Sequence, residues 1–222
     1  MADQPEAGFL RLFPLQSMVL FPGMPLSLTV FEPRYLELMN ECMDSKEPFG
    51  VLLLKEGAEV GPNSVDPFEI GTTAHIQKIS SGGGGRLSVA GLGGERFRVR
   101  TFNYDYPYLA AEVQYLNDTT ASLVEPLLVG QVKDDAIAFV RAVLTQRGGF
   151  VRDVELPDEP TELSFHIAQL FQGNPGIQQK LLERDTFDRL GDELNLIKTA
   201  MDQLIREGDR QRPDSPPSFS AN

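Results

Sequence analysis

Two histidines and one cysteine are the side chains of this sequence best suited to metal binding or nucleophilic chemistry. His75 lies in a segment with the alternation of a β-strand, His166 in a segment with helical spacing, and Cys42 among apolar residues. Neither histidine has a second histidine, a cysteine pair or a carboxylate at the spacing of a zinc site. We interpret the histidines as structural or surface residues and favour a packed Cys42 over a reactive thiol. We expect no metal site and no catalytic residue.

Two glycine runs, residues 82–85 and 91–94, resemble phosphate-binding loops only in composition. A Walker loop needs Gly-Lys-Ser/Thr after a spaced first glycine, but Arg86 and Leu87 follow the first run, and neither run completes GxGxxG. No serine stands in the GxSxG pattern of a hydrolase nucleophile elbow. We therefore predict a β-hairpin turn at the first run, no cofactor, and neither ATP hydrolysis nor peptidase activity.

One aromatic segment, FNYDYPYLA, has a composition that favours binding over catalysis. Tyr104, Tyr106 and Tyr108 occupy alternate positions, so an extended chain would place all three on one side. Tyrosine offers apolar area and a hydroxyl at low entropic cost, which suits capture of a polypeptide. The alternative is that Tyr108 packs into the fold while the other two lie on its rim. We predict that Tyr104 and Tyr106 are exposed and contribute to a shallow partner-binding surface.

The overall charge argues against nucleic acid and anionic membranes as partners. Lys and Arg total 20 against 32 Asp and Glu, which gives a formal net charge of −12. The run from Glu95 to Arg100 alternates charged residues with Phe97 and Val99, so it predicts a strand with one solvent-exposed face. A single cysteine, no leader-like start and no apolar run of bilayer length favour a soluble cytoplasmic protein.

The first half of the chain has the periodicity of β-strands. From Phe9 to about Leu116, apolar residues recur at every second position in short runs separated by Gly, Pro and Asn, which predicts mostly antiparallel strands. The stretch LFPGMPLSLTVFEPRY predicts a turn, a strand and then a helix that begins at Pro33. Arg34 in that helix could pair with a carboxylate or contact a partner. We favour the structural role and keep Arg34 as a candidate binding residue.

After Asn117 the hydrophobic period becomes helical. Helices are predicted from Pro126, around Leu163, over 177–183 and from Phe187 to Leu204, where Gly208 would end the last one. The fold class is α+β, with a β-rich subdomain over 9–118 that carries one inserted helix, a helical subdomain over 119–207 and a disordered tail over 208–222. The apolar stripe of the last helix is interpreted as core rather than as a coiled-coil dimer, and the oligomeric state stays open.

The chain resembles the Lon substrate-binding domain, the N-terminal domain of the ATP-dependent Lon protease, from about Phe9 to Arg206. The residues that carry the resemblance are LFPLQSMVLFPGMPLSLTVFEPRYLELM, FGVLLL, FEIGTTAHI, GRLSVAGLGGERFRV, YPYLAAEV and SFHIAQLFQGNPGIQQKLLERDTFDRLGDEL. The resemblance implies a barrel-like β-rich subdomain followed by a helical bundle, used to recognise proteins and unfolded segments. It implies a stand-alone form without the ATPase and the serine-lysine protease. The domain type also occurs in cereblon, so the resemblance does not by itself imply a protease partner.

Three functions from different classes remain in view. The leading one is a non-catalytic module that binds unfolded or partner polypeptides. The second is an enzyme with an unrecognised active site, which a pocket with a histidine beside a carboxylate would favour. The third is a structural oligomer formed through the last helix, which exposure of the stripe from Phe187 to Leu204 would favour.

Overall fold

A computed structural model describes residues 7–55, 66–151 and 153–211, which form six strands, five α-helices and two short 3-10 turns. The strands are β1 (Ala7–Leu15), β2 (Pro25–Val30), β3 (Phe49–Leu53), β4 (Ile70–Ser81), β5 (Leu87–Asn103) and β6 (Ala110–Leu116). The helices are α1 (Pro33–Ser45), α2 (Pro126–Gln146), α3 (Pro160–Ala168), α4 (Pro175–Glu183) and α5 (Thr186–Gln211). Apart from α1, strands therefore precede helices.

The strands form one mixed sheet with the order β2-β5-β4-β3-β1-β6 and a further pairing between β5 and β6. β1 and β3 run parallel, while the other described strand pairs are antiparallel. β5 pairs with β2 along its first half and with β6 along its second half. The pairing of β5 with β6 therefore joins the last strand of the sheet to the second one. The sheet is not a regular barrel, because among the described strands β2 pairs with β5 alone and its other edge is unpaired. The predicted barrel-like subdomain is thus corrected to a mixed sheet.

The first glycine run forms the predicted hairpin turn. β4 ends at Ser81 and β5 begins at Leu87, and the amide of Gly82 donates to the carbonyl of Arg86 at 2.7 Å. Gly84 and Gly85 have φ of +73° and +75°. Residues other than glycine rarely adopt a positive φ, so the turn explains why this run is made of glycines.

Helix α1 begins at Pro33 as predicted, and its buried face covers one end of the sheet. Tyr35, Leu38, Met39 and Cys42 are buried and belong to a core cluster that also includes residues of β1, β2 and β3. Leu36 packs beside this cluster, whereas Met43 is exposed. The thiol of Cys42 is packed, and burial raises its pKa to about 11.

The C-terminal helices do not form an independent bundle. Helices α3 and α4 pack directly on the sheet, because Phe165, Ala168, Leu181 and Leu182 share one buried cluster with residues of β3, β4 and the β1–β2 connection. Helices α2, α3 and α5 share a second cluster, built from Val132, Ala136, Leu163, Ile167, Leu190 and Ile197. The predicted helical bundle is therefore not confirmed. The predicted division into two subdomains near residue 118 stays a prediction.

The stripe of α5 faces the rest of the chain. Leu190 and Ile197 are buried and Leu194 and Met201 pack beside them, whereas Phe187 is exposed. The helix continues past Gly208 to Gln211, four residues beyond the predicted end of the helical subdomain at residue 207. The rest of the predicted tail, 212–222, lies outside the described residues.

Candidate functional site

The loop between β5 and β6 carries an exposed group of aromatic rings. Tyr104 and Tyr106 expose 53% and 42% of their surface, and Phe9 of β1 is also exposed. The ring centroid of Tyr106 lies 5.7 Å from that of Phe9 and 5.6 Å from that of Tyr108, and Tyr104 lies 6.3 Å from Phe102. We call Phe9, Phe102, Tyr104 and Tyr106 the aromatic surface. The two tyrosines are exposed as predicted, while a role of these tyrosines in binding stays a prediction.

Tyr108 is buried beneath Tyr106 and supports the aromatic surface without being exposed in it. Its side chain is buried, and its hydroxyl donates to Oε2 of Glu41 in α1 at 2.6 Å. Arg11 of β1 donates to the same oxygen through Nε at 2.8 Å. The hydrogen bonds from Tyr108 and Arg11 lower the pKa of Glu41, whereas burial, followed by the bond to Glu41, raises the pKa of Tyr108. The alternative in which Tyr108 packs into the fold is therefore the observed one.

Arg34 lies at a different place, on the wall of a cleft between the ends of β1 and β2. Its Nε and Nη2 contact Oε2 of Glu32 at 2.9 Å and 2.8 Å, and its guanidinium carbon lies 4.6 Å from the ring centroid of Tyr35. The cleft has a volume of about 430 Å³ and does not include Tyr104 or Tyr106 in its lining. We call it the β1–β2 cleft. The three candidate binding residues are thus divided between two surfaces.

The two histidines and Cys42 form no metal-binding group in the described part of the chain, although two of them line one cleft. His75 and His166 are both exposed, and the described residues contain no group of three or more His, Cys, Asp or Glu side chains able to hold a metal ion. His75 does line a cleft with Cys42 and Glu47, but Glu47 is already paired with Arg11 at 2.9 Å. This cleft lacks the arrangement of a nucleophile activated by a base that the enzyme alternative would need.

A buried ion network, which the sequence analysis missed, joins the sheet to the last helix. Arg96 of β5 and Arg189 of α5 contact opposite oxygens of Asp118, at 2.8 Å and 2.7 Å. Both guanidinium groups also lie over the ring of Phe165, at 5.6 Å and 3.8 Å from its centroid. Only 4% of Arg96 is exposed, so its predicted place on the solvent-exposed face of the strand is wrong. Its Nη1 instead donates to the carbonyls of Leu182 and Arg184.

Glu193 lies one turn after Arg189 and is fully buried. Neither of its carboxyl oxygens has a hydrogen-bond partner among the described residues. Burial raises the pKa of Glu193 well above its usual range, and the charge of Arg189 opposes this shift only in part. The sequence signal for these residues is weak, because Arg189 and Glu193 sit four positions apart in an amphipathic helix that carries many other charged residues.

None of the helices in the described ranges combines the length and the apolar character needed to cross a bilayer.

Comparisons with known proteins match this arrangement to one family. The family model described as the ATP-dependent protease La (LON) substrate-binding domain matches residues 10–199. A Lon protease of Anaeromyxobacter dehalogenans is 27% identical over 184 residues, which is 78% of this chain and 21% of the relative. Lon protease 2 of Myxococcus xanthus is 32% identical over 113 residues, which is 51% of this chain and 14% of the relative. The chain thus spans about a fifth or less of these two relatives.

Two solved structures share the fold. The Lon N-terminal domain protein of Xanthomonas campestris superposes with a TM-score of 0.63 at 28% identity and covers 85% of this chain and 98% of its own. The N-terminal domain of Lon protease from the Mycobacterium avium complex superposes with a TM-score of 0.64 at 13% identity, over 86% of this chain and 98% of its own. The chain therefore belongs to the family of the ATP-dependent protease La (LON) substrate-binding domain.

Proposed function

We propose that this chain is a non-catalytic module that binds unfolded polypeptides or unfolded segments of partner proteins. Membership of a family described as a substrate-binding domain supports recognition of polypeptides. The relatives named Lon protease are several times longer than this chain, so the chemistry of a protease is not carried over to it. The proposal is confined to recognition.

The single observation that carries the proposal is the exposure of the aromatic surface. Tyr104, Tyr106 and Phe9 place three large rings in solvent on the β5–β6 loop and the adjoining strand β1, and grouped exposed apolar side chains are typical of interaction surfaces. Aromatic rings are the side chains that contribute most to contacts between proteins. Tyr108 is buried and provides the fixed ring on which Tyr106 stacks. The surface is therefore held in place before a partner arrives, which lowers the entropic cost of binding.

The charge of the chain indicates which polypeptides it would take. A formal net charge of −12 repels nucleic acid and acidic segments and favours neutral or basic ones. We therefore propose apolar segments with few acidic residues as ligands, and neither nucleic acid nor a membrane surface as a main partner.

The proposal is tested by binding of a labelled unfolded protein, reduced and carbamidomethylated ribonuclease A, at physiological salt. The wild-type chain should bind it and should not bind native ribonuclease A. Replacing Tyr104 and Tyr106 together with Ala should weaken binding about fivefold or more, the loss typical of a central contact residue. Circular dichroism should show an unchanged fold.

The matched control replaces Leu127 and Phe150 together with Ala. Both are exposed apolar side chains of the helical half. This double variant removes a similar apolar area and should bind as the wild type does. Binding that both double variants keep in full would reject the aromatic surface as the binding site. If the wild-type chain binds no unfolded protein, the proposed function itself is wrong.

A further inference from the structure

The ring of strands is open at one place, between the end of β1 and the whole of β2. β2 and β6 pair with the same side of β5, β2 at residues 87–92 and β6 at residues 96–103. β6 continues onto the first part of β1, through residues 7–11. No described strand pairs with the remaining edge of β2, or with the β6-facing edge of β1 after Leu12. Two strand edges therefore face each other without a pairing, and the β1–β2 cleft lies between them.

The walls of the β1–β2 cleft come from both strands and from the start of α1. Phe13 and Leu15 of β1, Leu28 of β2 and Tyr35 of α1 contribute apolar surface. Phe31, which follows β2 and also lines the cleft, exposes 63% of its surface. The cleft volume of about 430 Å³ is in the range of sites that take a few side chains of a ligand.

The outer edge of β2 presents main-chain groups to the cleft. The amide of Gly93 donates to the carbonyl of Met24 at 2.9 Å, and the register continues with Leu26 opposite Gly91 and Leu28 opposite Val89. Residues of an antiparallel strand alternate between bonding the neighbour and pointing away from it. The amides and carbonyls of Ser27 and Thr29 therefore point outward, where an incoming strand could pair with them.

The charges beside the cleft select against an acidic occupant. Arg34 is already paired with Glu32 in the cleft wall, so the described lining offers no unpaired cation to an acidic segment. The chain as a whole has a formal net charge of −12. A segment that carries Lys or Arg beside its apolar residues complements this negative charge.

We infer that the β1–β2 cleft binds an extended polypeptide segment with apolar residues at alternate positions and a flanking basic residue, which adds as a strand to the outer edge of β2. The main chain of the segment pairs with Ser27 and Thr29, and its apolar side chains lie against Leu28 and Phe31. The inference rests on the proposed function, that this chain binds polypeptides, and adds a second site to the aromatic surface.

The test uses the full chain and a fluorescent probe peptide, Lys-Val-Ser-Val-Ser-Val-Ser-Lys, in fluorescence polarisation. Two further peptides carry N-methyl groups, one at the valines and the other at the serines. Because a strand on an edge bonds that edge through alternate residues, one methylated peptide should lose about tenfold in affinity and the other should bind almost as the parent does. Equal losses, equal retention, or no binding of the parent peptide would overturn the inference.

A variant of the protein provides the second measurement. Thr29→Pro removes the amide that points away from β5, so it costs no hydrogen bond between β2 and β5. Thr29→Val keeps this amide and has a similar shape. The proline variant should lose about tenfold in affinity for the probe and the valine variant should keep it. If Thr29→Pro does not fold, the two methylated peptides still decide.

The unfolded ribonuclease A assay separates this inference from the proposed function. A wild-type chain that binds the unfolded protein but not the probe retains the proposed function and loses the added-strand site.

Discussion

Asp118, two residues after β6, accepts a hydrogen bond from Nη2 of Arg189 in α5 at 2.7 Å, and both side chains are almost fully buried. The second oxygen of the same carboxylate accepts from Arg96 at 2.8 Å. One buried carboxylate is therefore shared by two buried guanidinium groups, which also donate to backbone carbonyls, and these contacts link the sheet to the last helix.

Asp118→Ala should destabilise the fold by about 3–5 kcal/mol, because it leaves two buried guanidinium groups without their partner. Urea unfolding at pH 7 measures the loss. The control is Asp192→Ala, which breaks the exposed contact between Asp192 and Arg184 and should cost at most about 1 kcal/mol. Similar small losses in both variants would show that the buried ion network does not hold the fold together.

The buried ion network also shows where prediction from sequence stops. The alternation of Phe97 and Val99 predicts the strand, and both residues are buried. The same alternation places Arg96 in solvent, because a periodicity marks faces of a strand without showing what covers them. Arg96 is covered by α4 and the segment that follows it, whose carbonyls at Leu182 and Arg184 accept its hydrogen bonds. That contact joins residues about ninety positions apart, beyond the reach of a local pattern.

The ionised carboxylate of Asp185 should make the free energy of unfolding decrease as the solution becomes acidic. The amides of Thr119 and Thr120 donate to its carboxylate at 3.1 Å, and the two hydroxyls donate at 2.8 Å and 2.7 Å. Burial alone would raise the pKa of Asp185, but the hydrogen bonds from Thr120 and Thr119 outweigh it and hold the pKa well below its usual range. Because the folded pKa is depressed, the stabilisation is present above the unfolded value of about 3.9 and is lost as the pH falls toward the folded value.

The measurement compares urea unfolding of the wild type and of Asp185→Asn between pH 6 and pH 2.5. The difference in the free energy of unfolding should be largest at pH 6 and should shrink as the pH falls below about 4. A difference that stays constant over this range would contradict the ionised state of Asp185 as its source.

Glu193 should have the opposite dependence on pH. Burial raises the pKa of Glu193 in the folded state, so the folded chain holds this proton more tightly than the unfolded chain does. The carboxyl therefore destabilises the fold progressively as the pH rises above the unfolded value of about 4.3. Glu193→Gln keeps the shape of the protonated side chain. The variant should match the wild type at pH 4 and be more stable than the wild type at pH 7.5.

The same urea series provides the check. If Glu193→Gln is less stable than the wild type at pH 7.5, the carboxyl is ionised and paired with Arg189, and the assignment of a protonated Glu193 is wrong.

Gly71, in the IGT motif that contributes to the family resemblance, lies where no side chain fits. A Cβ at this position would lie 2.2 Å from the carbonyl oxygen of Val51 and 2.6 Å from Cδ2 of Leu52. Gly71→Ala should therefore force the strands β3 and β4 apart and cost about 3 kcal/mol, at the upper end for overpacking a core. Gly83→Ala is the control, because a Cβ at Gly83 would meet nothing within 4 Å. Equal midpoints of thermal unfolding would contradict the close approach.

The sequence predicted the candidate site only in part. The alternation of Tyr104, Tyr106 and Tyr108 singled out the aromatic segment, and the two tyrosines predicted to be exposed are exposed. It did not identify Phe9 as a neighbour, since that contact depends on the pairing of β1 with β6. The β1–β2 cleft was not predicted either, because it exists only where two strands fail to pair.

Tyr106 and Tyr108 should separate binding from stability. Tyr106 stacks on Tyr108 with ring centroids 5.6 Å apart, but only Tyr108 is buried and bonded to Glu41. Tyr108→Phe keeps the ring beneath Tyr106 and removes the hydroxyl. It should therefore lower the free energy of unfolding by about 1 kcal/mol and leave binding of unfolded ribonuclease A unchanged.

Tyr106→Ala should do the reverse, because it removes an exposed ring that contributes to the binding surface and little to the core. The free energy of unfolding should change by at most about 0.5 kcal/mol, while affinity for unfolded ribonuclease A should fall about threefold or more. Urea unfolding and fluorescence polarisation on the two variants measure both quantities. If Tyr108→Phe weakens binding as much as Tyr106→Ala does, the hydroxyl of Tyr108 contributes to binding as well, and the separation of the two roles is wrong.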